Sequence, residues 1–493
     1  MTTRVSYLSL VKLAKKNCFT VTCPWDASYQ KDMTIWNRRL QTGPAMVAFC
    51  KKKEDVQICV GWCRDNNDFP LRVRSGRHHH EGMSCDYGVL IIDLSLMNTI
   101  RYTDRDHGWI PPGKQLQSVY KELEARGQII PGGGCETVCV GGLTLGGGWG
   151  MSARALGLTC DNILEAEIVL ADGSVRTVNA SDPTGLFWAL QGGGAGNFGI
   201  VTNFLFKLTN VANKTSLSQT WTGPKARLAM VDFMEAIANN SIPRSMTLAC
   251  RLFLDDTGQI SFMLTIQSLD TRAQTEEVLR KLTGNHPPAS SAVAEQTYTG
   301  GSQAVHGDAG LHDFADSKMM SASSARPGDT CLTGPLPHKV SSAFVKNDQV
   351  VQAAEACYDF LLKNNKPFPN ANTYISFHSF GGAIADKAPK ETAFFYRDRM
   401  LLLQFQAWWS DPADDSTDQY INWIWDVRTT LASRGLTDGG FFNFQDASIA
   451  PEADRHALMK YYYGGNLDRL IGVKIQYDPK NIFQSGMSIP TKR

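Results

Sequence analysis

Three consecutive histidines follow a short basic stretch in the run VRSGRHHHEGMS (73–84). Imidazole nitrogens bind metal ions and attack electron-poor carbon atoms, so the run could be a metal site, an anchor for a bound group or a chance repeat. In an extended chain, His78 and His80 would share one face and His79 the other. The sequence has no further cluster of histidine, cysteine and carboxylate at metal spacing, so we expect no metal here.

Glycine is concentrated in three later runs, PGGGC (131–135), GGLTLGGGWG (141–150) and GGGAGNFG (192–199). Such backbone can approach a ligand closely, and its N–H groups can surround an anion. The third run is not a dinucleotide fingerprint, because it does not lie between a strand and a helix and lacks the following acidic residue. No GK[ST] follows any run, so a P-loop is absent. The runs indicate either a phosphate-bearing cofactor, which the basic stretch favours, or a set of tight turns.

The composition is that of an ordinary globular protein with small-molecule partners. The chain has 493 residues, which predicts two or three lobes, and 49 Lys plus Arg balance 48 Asp plus Glu. This balance favours neither nucleic acid nor a membrane surface as a partner. The twelve cysteines form no CxxC pair, and no apolar run has the length of a signal peptide or a membrane span. We therefore expect a cytoplasmic protein.

These candidate residues must be positioned by the elements around them, and two regions of different character are predicted. The first 210 residues alternate short apolar strands with helices, whereas residues 210–440 contain long strands typical of an α+β lobe with an antiparallel sheet. The tail from residue 450 predicts a helix followed by a short strand. Strands are expected at 44–50, 71–75, 88–95, 372–379 and 400–409, strand pairs at 163–178 and 246–270, and helices at 54–67, 114–127, 225–238, 273–283, 349–363 and 417–433.

Four ordered motifs resemble the signature of the berberine-bridge-enzyme-like flavoproteins, a group within the vanillyl-alcohol-oxidase class. The motifs are RSGRHHHEGMS, GGGCETVCVGGLTLGGGWG, DPTGLFWALQGGGAGNFGIVT and YYGGNLDRLIGVKIQYDPKNIF. The resemblance covers nearly the whole chain. It implies an α+β fold with a PCMH-type, two-part FAD-binding domain (1–208, completed by 446–493) and a substrate-binding domain with a large antiparallel sheet (209–445).

The resemblance also gives the histidine run a role. His78 stands where this family attaches FAD through the 8α-methyl group of the flavin, and Cys135 stands where members with two tethers bind the flavin C6. It therefore implies a bicovalent FAD, 8α-histidyl and 6-S-cysteinyl. Val138 matches the position that controls oxygen access, where valine accompanies oxidases. The other implied cofactor contacts are Arg74, Ser75, Gly76, Arg77, His79, Gly141, Gly142, Thr144, Gly146, Gly147, Gly148, Asn197, Gly199, Ile200, Val201, Phe441 and Asn443.

Two residues depart from the family pattern. Arg77 replaces a glycine, and its guanidinium could reach the pyrophosphate, a carboxylate or solvent. Phe444 replaces a tyrosine that serves several relatives as general base, and phenylalanine cannot accept a proton.

The candidates to replace that base are His80, Gln404, Gln406 and Tyr396. We favour His80, whose unperturbed pKa is near neutrality. Gln404 and Gln406 share one face of the strand MLLLQFQAWW and could orient a substrate.

Three functional hypotheses follow. The first is an FAD-dependent oxidase that transfers hydride from a phenolic, alkaloid or polyketide metabolite to flavin N5 and returns the electrons to O₂, with a carbohydrate oxidase as the alternative. The second is a flavoprotein of the same fold that catalyses a cyclisation with no net redox change. The third is a binding protein without catalysis, which the retained His78, Cys135 and Val138 disfavour.

Overall fold

The computed structural model describes residues 2–283, 286–299, 302–307, 335–451 and 454–492. Within these ranges, no helix combines the length and the apolar character needed to cross a membrane. The strands up to residue 210 are β1 Thr20–Thr22, β2 Met46–Phe49, β3 Leu71–Arg74, β4 Leu90–Asp93, β5 Arg101–Tyr102, β6 His107–Ile110, β7 Gln128–Ile129, β8 Ile163–Val169, β9 Val175–Asn179, β10 Ile200–Lys207 and β11 Thr209–Asn210. The later strands are β12 Asn213–Thr222, β13 Met246–Leu254, β14 Ile260–Ser268, β15 Ser290–Thr299, β16 Ser302–Gly307, β17 His338–Val345, β18 Ala371–Ser379, β19 Leu401–Trp409 and β20 Thr437–Asp438. The helices are α1 Thr2–Lys16, α2 Tyr29–Asp32, α3 Lys53–Asp65, α4 Leu116–Glu124, α5 Val140–Leu145, α6 Ala153–Leu156, α7 Leu186–Leu190, α8 Pro224–Ala238, α9 Arg272–Leu282, α10 Val350–Lys363, α11 Thr417–Ser433, α12 Arg455–Tyr463 and α13 Leu467–Tyr477.

A small sheet in the order β1-β2-β4-β3 carries the histidine run at its edge. β2, β4 and β3 lie within segments predicted as strands and pair in parallel, and β1 adds antiparallel to β2. Helix α3 buries Val56, Cys59, Val60 and Cys63, a helical spacing that places them on one face against this sheet. The sheet thereby fixes Arg74, from which the loop with the three histidines begins.

A second, antiparallel sheet has the order β5-β6-β10-β8-β9 and includes the predicted hairpin. The turn of that hairpin contains Gly173, whose φ of +82° favours glycine. The C-terminal helices α12 and α13 pack in the same core as this sheet. The short strand expected in the tail is wrong, because Leu467, Leu470, Ile471 and Lys474 are buried at helical spacing within α13.

The large antiparallel sheet runs in the order β16-β15-β12-β14-β13-β18-β19-β17-β20. Alternate residues of its strands face opposite sides, so Leu403, Phe405 and Trp409 of β19 pack in the core beneath α8, α10 and α11. The intervening residues Gln404 and Gln406 face the N-terminal half of the chain. The α+β fold with a large antiparallel sheet is confirmed. The domain boundaries after 208 and 445 stay a prediction.

Candidate active site between the glycine-rich loops and the large sheet

A cavity of about 340 Å³ lies between the loops of the N-terminal half and the large sheet. Its sheet wall consists of side chains from β13, β18 and β19. A second cavity of about 790 Å³ shares Trp36, residues 75–78 and Cys139 with it. The predicted residues that border the first cavity are Arg74, Ser75, Gly76, Arg77, His78, His79, His80, Cys135, Val138, Gly141, Gly142, Gly199, Ile200, Val201, Gln404, Gln406, Phe441 and Asn443.

Four predicted contacts after Gly142 do not border the cavity, namely Thr144, Gly146, Gly147 and Gly148. Thr144 lies within helix α5 and the three glycines directly follow its end, where they support the site through packing. A Cβ on Gly146 would lie 2.1 Å from Asn443 Oδ1, and one on Gly148 would lie 2.2 Å from Thr159 Oγ1. These glycines therefore allow neighbouring segments to approach, and a contact of this stretch with the cofactor stays a prediction.

Two further predicted residues, Asn197 and Tyr396, also lie outside the cavity lining. Asn197 accepts a hydrogen bond from the backbone N–H of Ile489 at 2.9 Å and donates to the Gly193 carbonyl, so it fixes the C-terminal segment. Tyr396 donates its hydroxyl hydrogen to the Tyr461 carbonyl at 2.7 Å, and burial raises its pKa. This engagement of the Tyr396 hydroxyl outside the cavity lining disfavours Tyr396 as the base.

The loop after β3 is held against the segment before α5. A Cβ on Gly76 would lie 2.8 Å from the backbone nitrogen of Cys139, so only glycine fits without a shift. Arg77 has φ +68°, a left-handed conformation that explains why the family uses glycine at this position. Its guanidinium Nη2 lies 3.7 Å from Asp93 Oδ2. The structure therefore shows the Arg77 side chain beside a carboxylate, one of the three partners expected for it.

Arg74 and Asn443 suit a large polar cofactor. The Arg74 guanidinium pairs with Asp93 at 2.6 Å in a fully buried ion pair, but its Nη1 has no hydrogen-bond partner among the described residues. Asn443 donates to the Leu143 carbonyl, and its buried Oδ1 likewise lacks a partner within the described ranges. Unsatisfied buried polar atoms are rare in native proteins, so both sites are suited to a ligand that supplies an acceptor to one and a donor to the other. An FAD, with its pyrophosphate and polar ring edge, fits this donor and acceptor set.

His78 lies flat against Trp36, with ring centroids 4.0 Å apart. Its Nε2 is 2.9 Å from Thr137 Oγ1, which leaves Nδ1 as the ring nitrogen without a hydrogen bond among the described residues. Burial lowers the pKa of His78 to about 3, so the imidazole is neutral at physiological pH. A neutral, oriented imidazole is the state that can act as a nucleophile.

Cys135 and Val138 form one turn at the cavity wall. The backbone N–H of Val138 donates to the Cys135 carbonyl at 3.1 Å, and its own carbonyl accepts from Leu116 at the start of α4. Cys135 is disulfide-bonded in the structure. A thioether to a cofactor at this sulfur therefore requires that bond to be reduced first.

Two successive hydrogen bonds, from His80 to His338 and from His338 to Leu336, determine which ring nitrogen of His80 carries the hydrogen. The Leu336 carbonyl accepts a hydrogen bond from His338 Nδ1 at 2.9 Å, so His338 Nε2 in the neutral ring is an acceptor. His80 Nδ1 lies 3.1 Å from that nitrogen and must donate to it. The lone pair of His80 is therefore on Nε2.

His80 titrates far from the value expected from sequence. Burial first, and then the neighbouring His338 and His79, lower its pKa well below the usual range. The unperturbed pKa expected for His80 is therefore wrong, because its ring is enclosed among other histidines and aromatic side chains.

An ion cluster joins the three segments that meet at His80. Lys339 Nζ donates to Glu81 Oε1 at 2.5 Å and to Asp446 Oδ1 at 2.6 Å, and all three side chains are at least nine-tenths buried. Glu81 follows His80, Lys339 follows His338 in β17, and Asp446 lies two residues after Phe444. We refer to Glu81, Lys339 and Asp446 as the charge cluster.

The sheet wall contains a histidine that sequence reasoning missed. His378 donates from Nε2 to Gln404 Oε1 at 3.0 Å, and its ring lies edge-on to Trp149. Burial lowers the pKa of His378 to about 4. The Phe444 ring lies near both His378 and His80, with centroid distances of 5.7 and 6.0 Å. The position of the missing tyrosine is thus flanked by two neutral histidines.

Gln406 and Arg251 complete the sheet wall. Gln406 Oε1 accepts from the Tyr374 hydroxyl at 2.8 Å and from Trp408 Nε1 at 3.0 Å. Arg251 lies over the Tyr374 ring, with Cζ 4.0 Å from its centroid. An arginine within the otherwise apolar strand MTLACRLFL was the signal that could have identified it from the sequence.

The comparisons with known proteins agree with this arrangement. Residues 44–179 match the model of the FAD binding domain family, and residues 440–490 match the family described as berberine and berberine like. The FAD-linked oxidoreductase YgaK of Bacillus subtilis is 31% identical over 478 residues, covering 95% of this chain and 96% of that protein.

Two solved structures have the same fold. A chitooligosaccharide oxidase superposes with a TM-score of 0.82 at 23% identity and covers 99% of this chain and 100% of its own. A glucooligosaccharide oxidase from Acremonium strictum, described with a 6-S-cysteinyl, 8α-N1-histidyl FAD, gives a TM-score of 0.81 at 22% identity over 98% of this chain and 99% of its own.

Proposed function

This chain belongs to the berberine-bridge-enzyme-like FAD-linked oxidoreductases, and on that premise we propose that it is an oxidase with bicovalently bound FAD acting on a small specialised metabolite. It is an FAD-dependent oxidoreductase. The bound FAD would accept hydride at N5 and pass the electrons to O₂, giving H₂O₂. The observation that carries the proposal is one cavity bordered by His78, Cys135 and Val138 on its loop side and by polar side chains on its sheet side.

The protein's own residues supply attachment, proton transfer and orientation in this proposal. His78 would form the 8α tether through Nδ1, because Nε2 is engaged with Thr137. His80 would accept the substrate proton at Nε2, the nitrogen that the His338 contact leaves without a hydrogen. Gln404 and Gln406 would orient the substrate along the sheet wall.

The covalent attachment gives the first prediction. Acid-precipitated wild-type protein is expected to stay yellow, and its intact mass is expected to exceed that of the chain by one FAD. His78→Ala is expected to keep the colour through Cys135, and the double variant with Cys135→Ala to lose it.

Two results would contradict these assignments in different ways. Colourless wild-type pellets would contradict both tethers. A colourless His78→Ala pellet beside a yellow wild-type pellet would leave His78 as the tether and contradict the cysteinyl bond, as expected if Cys135 keeps its disulfide.

The oxygen-access role of Val138 gives the second prediction. Val138→Leu adds one methylene at the cavity wall and is expected to slow reoxidation of the photoreduced protein by O₂ about tenfold or more, equivalent to about 1.4 kcal/mol in the barrier. Val138→Ala is the matched control and is expected to reoxidise no more slowly than wild type. Stopped-flow absorbance against O₂ concentration measures both. A wild-type protein that needs many minutes to reoxidise would contradict the oxidase assignment.

The alternatives are a carbohydrate oxidase and a cyclising flavoprotein. The named activities of the two superposed oxidases support the first, and Phe444 supports the second, because it removes the tyrosine base. Anaerobic bleaching of the flavin by an oligosaccharide would favour the carbohydrate oxidase. Anaerobic product formation without bleaching would favour the cyclisation.

A further inference from the structure

A second histidine, His338, lies behind His80 and is held in place from three sides. It is fully buried, its ring is stacked on the Trp408 ring with centroids 4.1 Å apart, and its Nδ1 donates to the Leu336 carbonyl at 2.9 Å. Asn37, also fully buried, donates from Nδ2 to the carbonyls of His80 and His338 at 2.7 and 3.0 Å. The two histidines are therefore fixed relative to each other before any ligand binds.

The contact between the two rings gives His80 a proton acceptor outside the cavity. His80 borders the cavity and His338 does not. In the neutral pair, the His80 Nδ1 hydrogen is donated to His338 Nε2 across 3.1 Å. A proton taken up at His80 Nε2 makes that ring an imidazolium, which donates its Nδ1 hydrogen more strongly. This hydrogen can pass to His338, because the accepting nitrogen is already at hydrogen-bond distance.

His338 is better suited than His80 to carry the resulting positive charge. The face of the Trp408 indole attracts a cation, and the Leu336 carbonyl bonds more strongly to a charged N–H donor than to a neutral one. The Phe444 ring near His80 is more distant, with its centroid 6.0 Å away and its plane tilted by 56°. A proton shared by the two histidines is therefore stabilised on His338.

The charged side chains around the pair cancel one another. The ionisable groups that face the pair are His78, His79, Arg39, Glu81, Lys339 and Asp446. The first two are neutral, because burial lowers the pKa of each. The two cations are paired with the two carboxylates, within the charge cluster and through a 3.6 Å contact between Arg39 and Glu81. Burial also lowers the pKa of His80 and His338, so the pair stays neutral until negative charge is added nearby.

We propose that His80 and His338 form a relay that stores the substrate proton for as long as the flavin is reduced. The substrate loses a hydride to the flavin and a proton to His80 Nε2, and the His80 Nδ1–H bond breaks as the His338 Nε2–H bond forms. The hydride brings negative charge to the cavity, which favours the protonated pair. The stored proton returns by the same path when O₂ takes the two electrons, because H₂O₂ carries two hydrogens. The inference rests on the proposed oxidase function, since it follows the proton of that reaction.

The test counts the protons that the flavin-loaded protein binds with two electrons, and it needs no substrate. The midpoint potential of the flavin is measured against pH around neutrality, by dithionite titration beside a reference dye. Hydride-equivalent reduction alone binds one proton per two electrons, and a stored proton makes two, so the wild-type slope is expected to be about twofold steeper than that of His338→Gln. Glutamine can still accept the His80 hydrogen but cannot hold a proton. His107→Gln changes a part-exposed histidine on β6 and is expected to keep the wild-type slope.

Nitrogen-15 NMR of the labelled histidines gives a second measurement that needs no variant. In the oxidised protein, His338 is expected to carry hydrogen on Nδ1 alone, and after photoreduction on both ring nitrogens. A His338 signal that does not change on reduction would overturn the relay. A wild-type slope of one proton per two electrons would also overturn it. An equally steep slope in His338→Gln would do the same, because the second proton would then reside on the flavin.

The outcomes separate this inference from the proposed function. If the relay is overturned but the photoreduced protein is reoxidised by air, the oxidase proposal stands. If the two-proton slope depends on His338 but air does not reoxidise the flavin, the oxidase proposal fails while the stored proton is supported.

Discussion

Replacing His80 by alanine is expected to slow flavin reduction by substrate roughly 10²–10⁴-fold, the usual contribution of a general base. Phe444 cannot accept the proton that leaves with the hydride, and the Tyr396 hydroxyl is engaged away from the cavity. His80 borders the cavity with Nε2 unprotonated, because His338 takes the hydrogen bond from Nδ1. The alanine variant loses this acceptor but keeps the loop backbone that holds His78.

The pH dependence follows from the lowered pKa of His80. Because burial and the adjacent histidines hold that pKa well below the usual range, the imidazole stays neutral as the pH falls through about 6.5. The wild-type reduction rate is therefore expected to be flat around pH 6.5 and to fall only at more acidic pH. A wild-type inflection near 6.5 that disappears in His80→Ala would contradict the enclosed state of this histidine.

The measurement is anaerobic stopped-flow reduction with a substrate that bleaches the flavin. His107→Ala is the matched control, because this histidine is part-exposed on β6 and hydrogen-bonded to Asp104. The flavin spectrum should be unchanged in both variants, which separates loss of the base from loss of the cofactor. Reduction of His80→Ala at the wild-type rate would exclude His80, and the proton acceptor would then be His378 or a group on the substrate.

The parts of the fold that sequence could predict are those where local pattern and tertiary packing agree. Helix α3 was predictable because its apolar residues recur at helical spacing, and β19 because a run of β-formers alternates between two faces. The strand prediction for the tail was wrong because IGVKIQY contains enough β-branched and aromatic residues to resemble a strand sequence. Its burial pattern, which decides the outcome, depends on contacts with the distant β10 and α7.

Some residues of the site can be identified from local sequence, and others only from the fold. The histidine run, Cys135 and Val138 lie in contiguous sequence motifs, so they can be identified without knowledge of the fold. His338 and Arg251 come from segments far apart in sequence, and only sheet register and loop packing bring them to the cavity region. The one charged residue within a long buried strand, Arg251 of β13, was the local signal available.

Replacing Lys339 by methionine is expected to lower the free energy of unfolding by about 3–5 kcal/mol, the cost of leaving buried charge without its partner. Lys339 is the cation between Glu81 and Asp446, and each carboxylate belongs to a segment that carries a site residue. Burial raises the pKa of Glu81 despite the lysine. For Asp446, burial acts in the same direction, but the Lys339 charge and hydrogen bonds outweigh it and lower the pKa.

The midpoint of thermal or urea unfolding, followed by tryptophan fluorescence, measures this loss. Lys53→Met is the control, because its ion pair with Glu167 is part-exposed and contributes only about 0–1 kcal/mol. In Lys339→Met the penalty should shrink as the pH falls, since protonation neutralises the uncompensated carboxylates. Adding Glu81→Gln and Asp446→Asn should restore part of the stability, because the loss comes from buried charge.

If Lys339→Met is no less stable than Lys53→Met, the charge cluster does not join the three segments. The position of His80 must then depend on its contact with His338 and on Asn37, which donates to the His80 carbonyl.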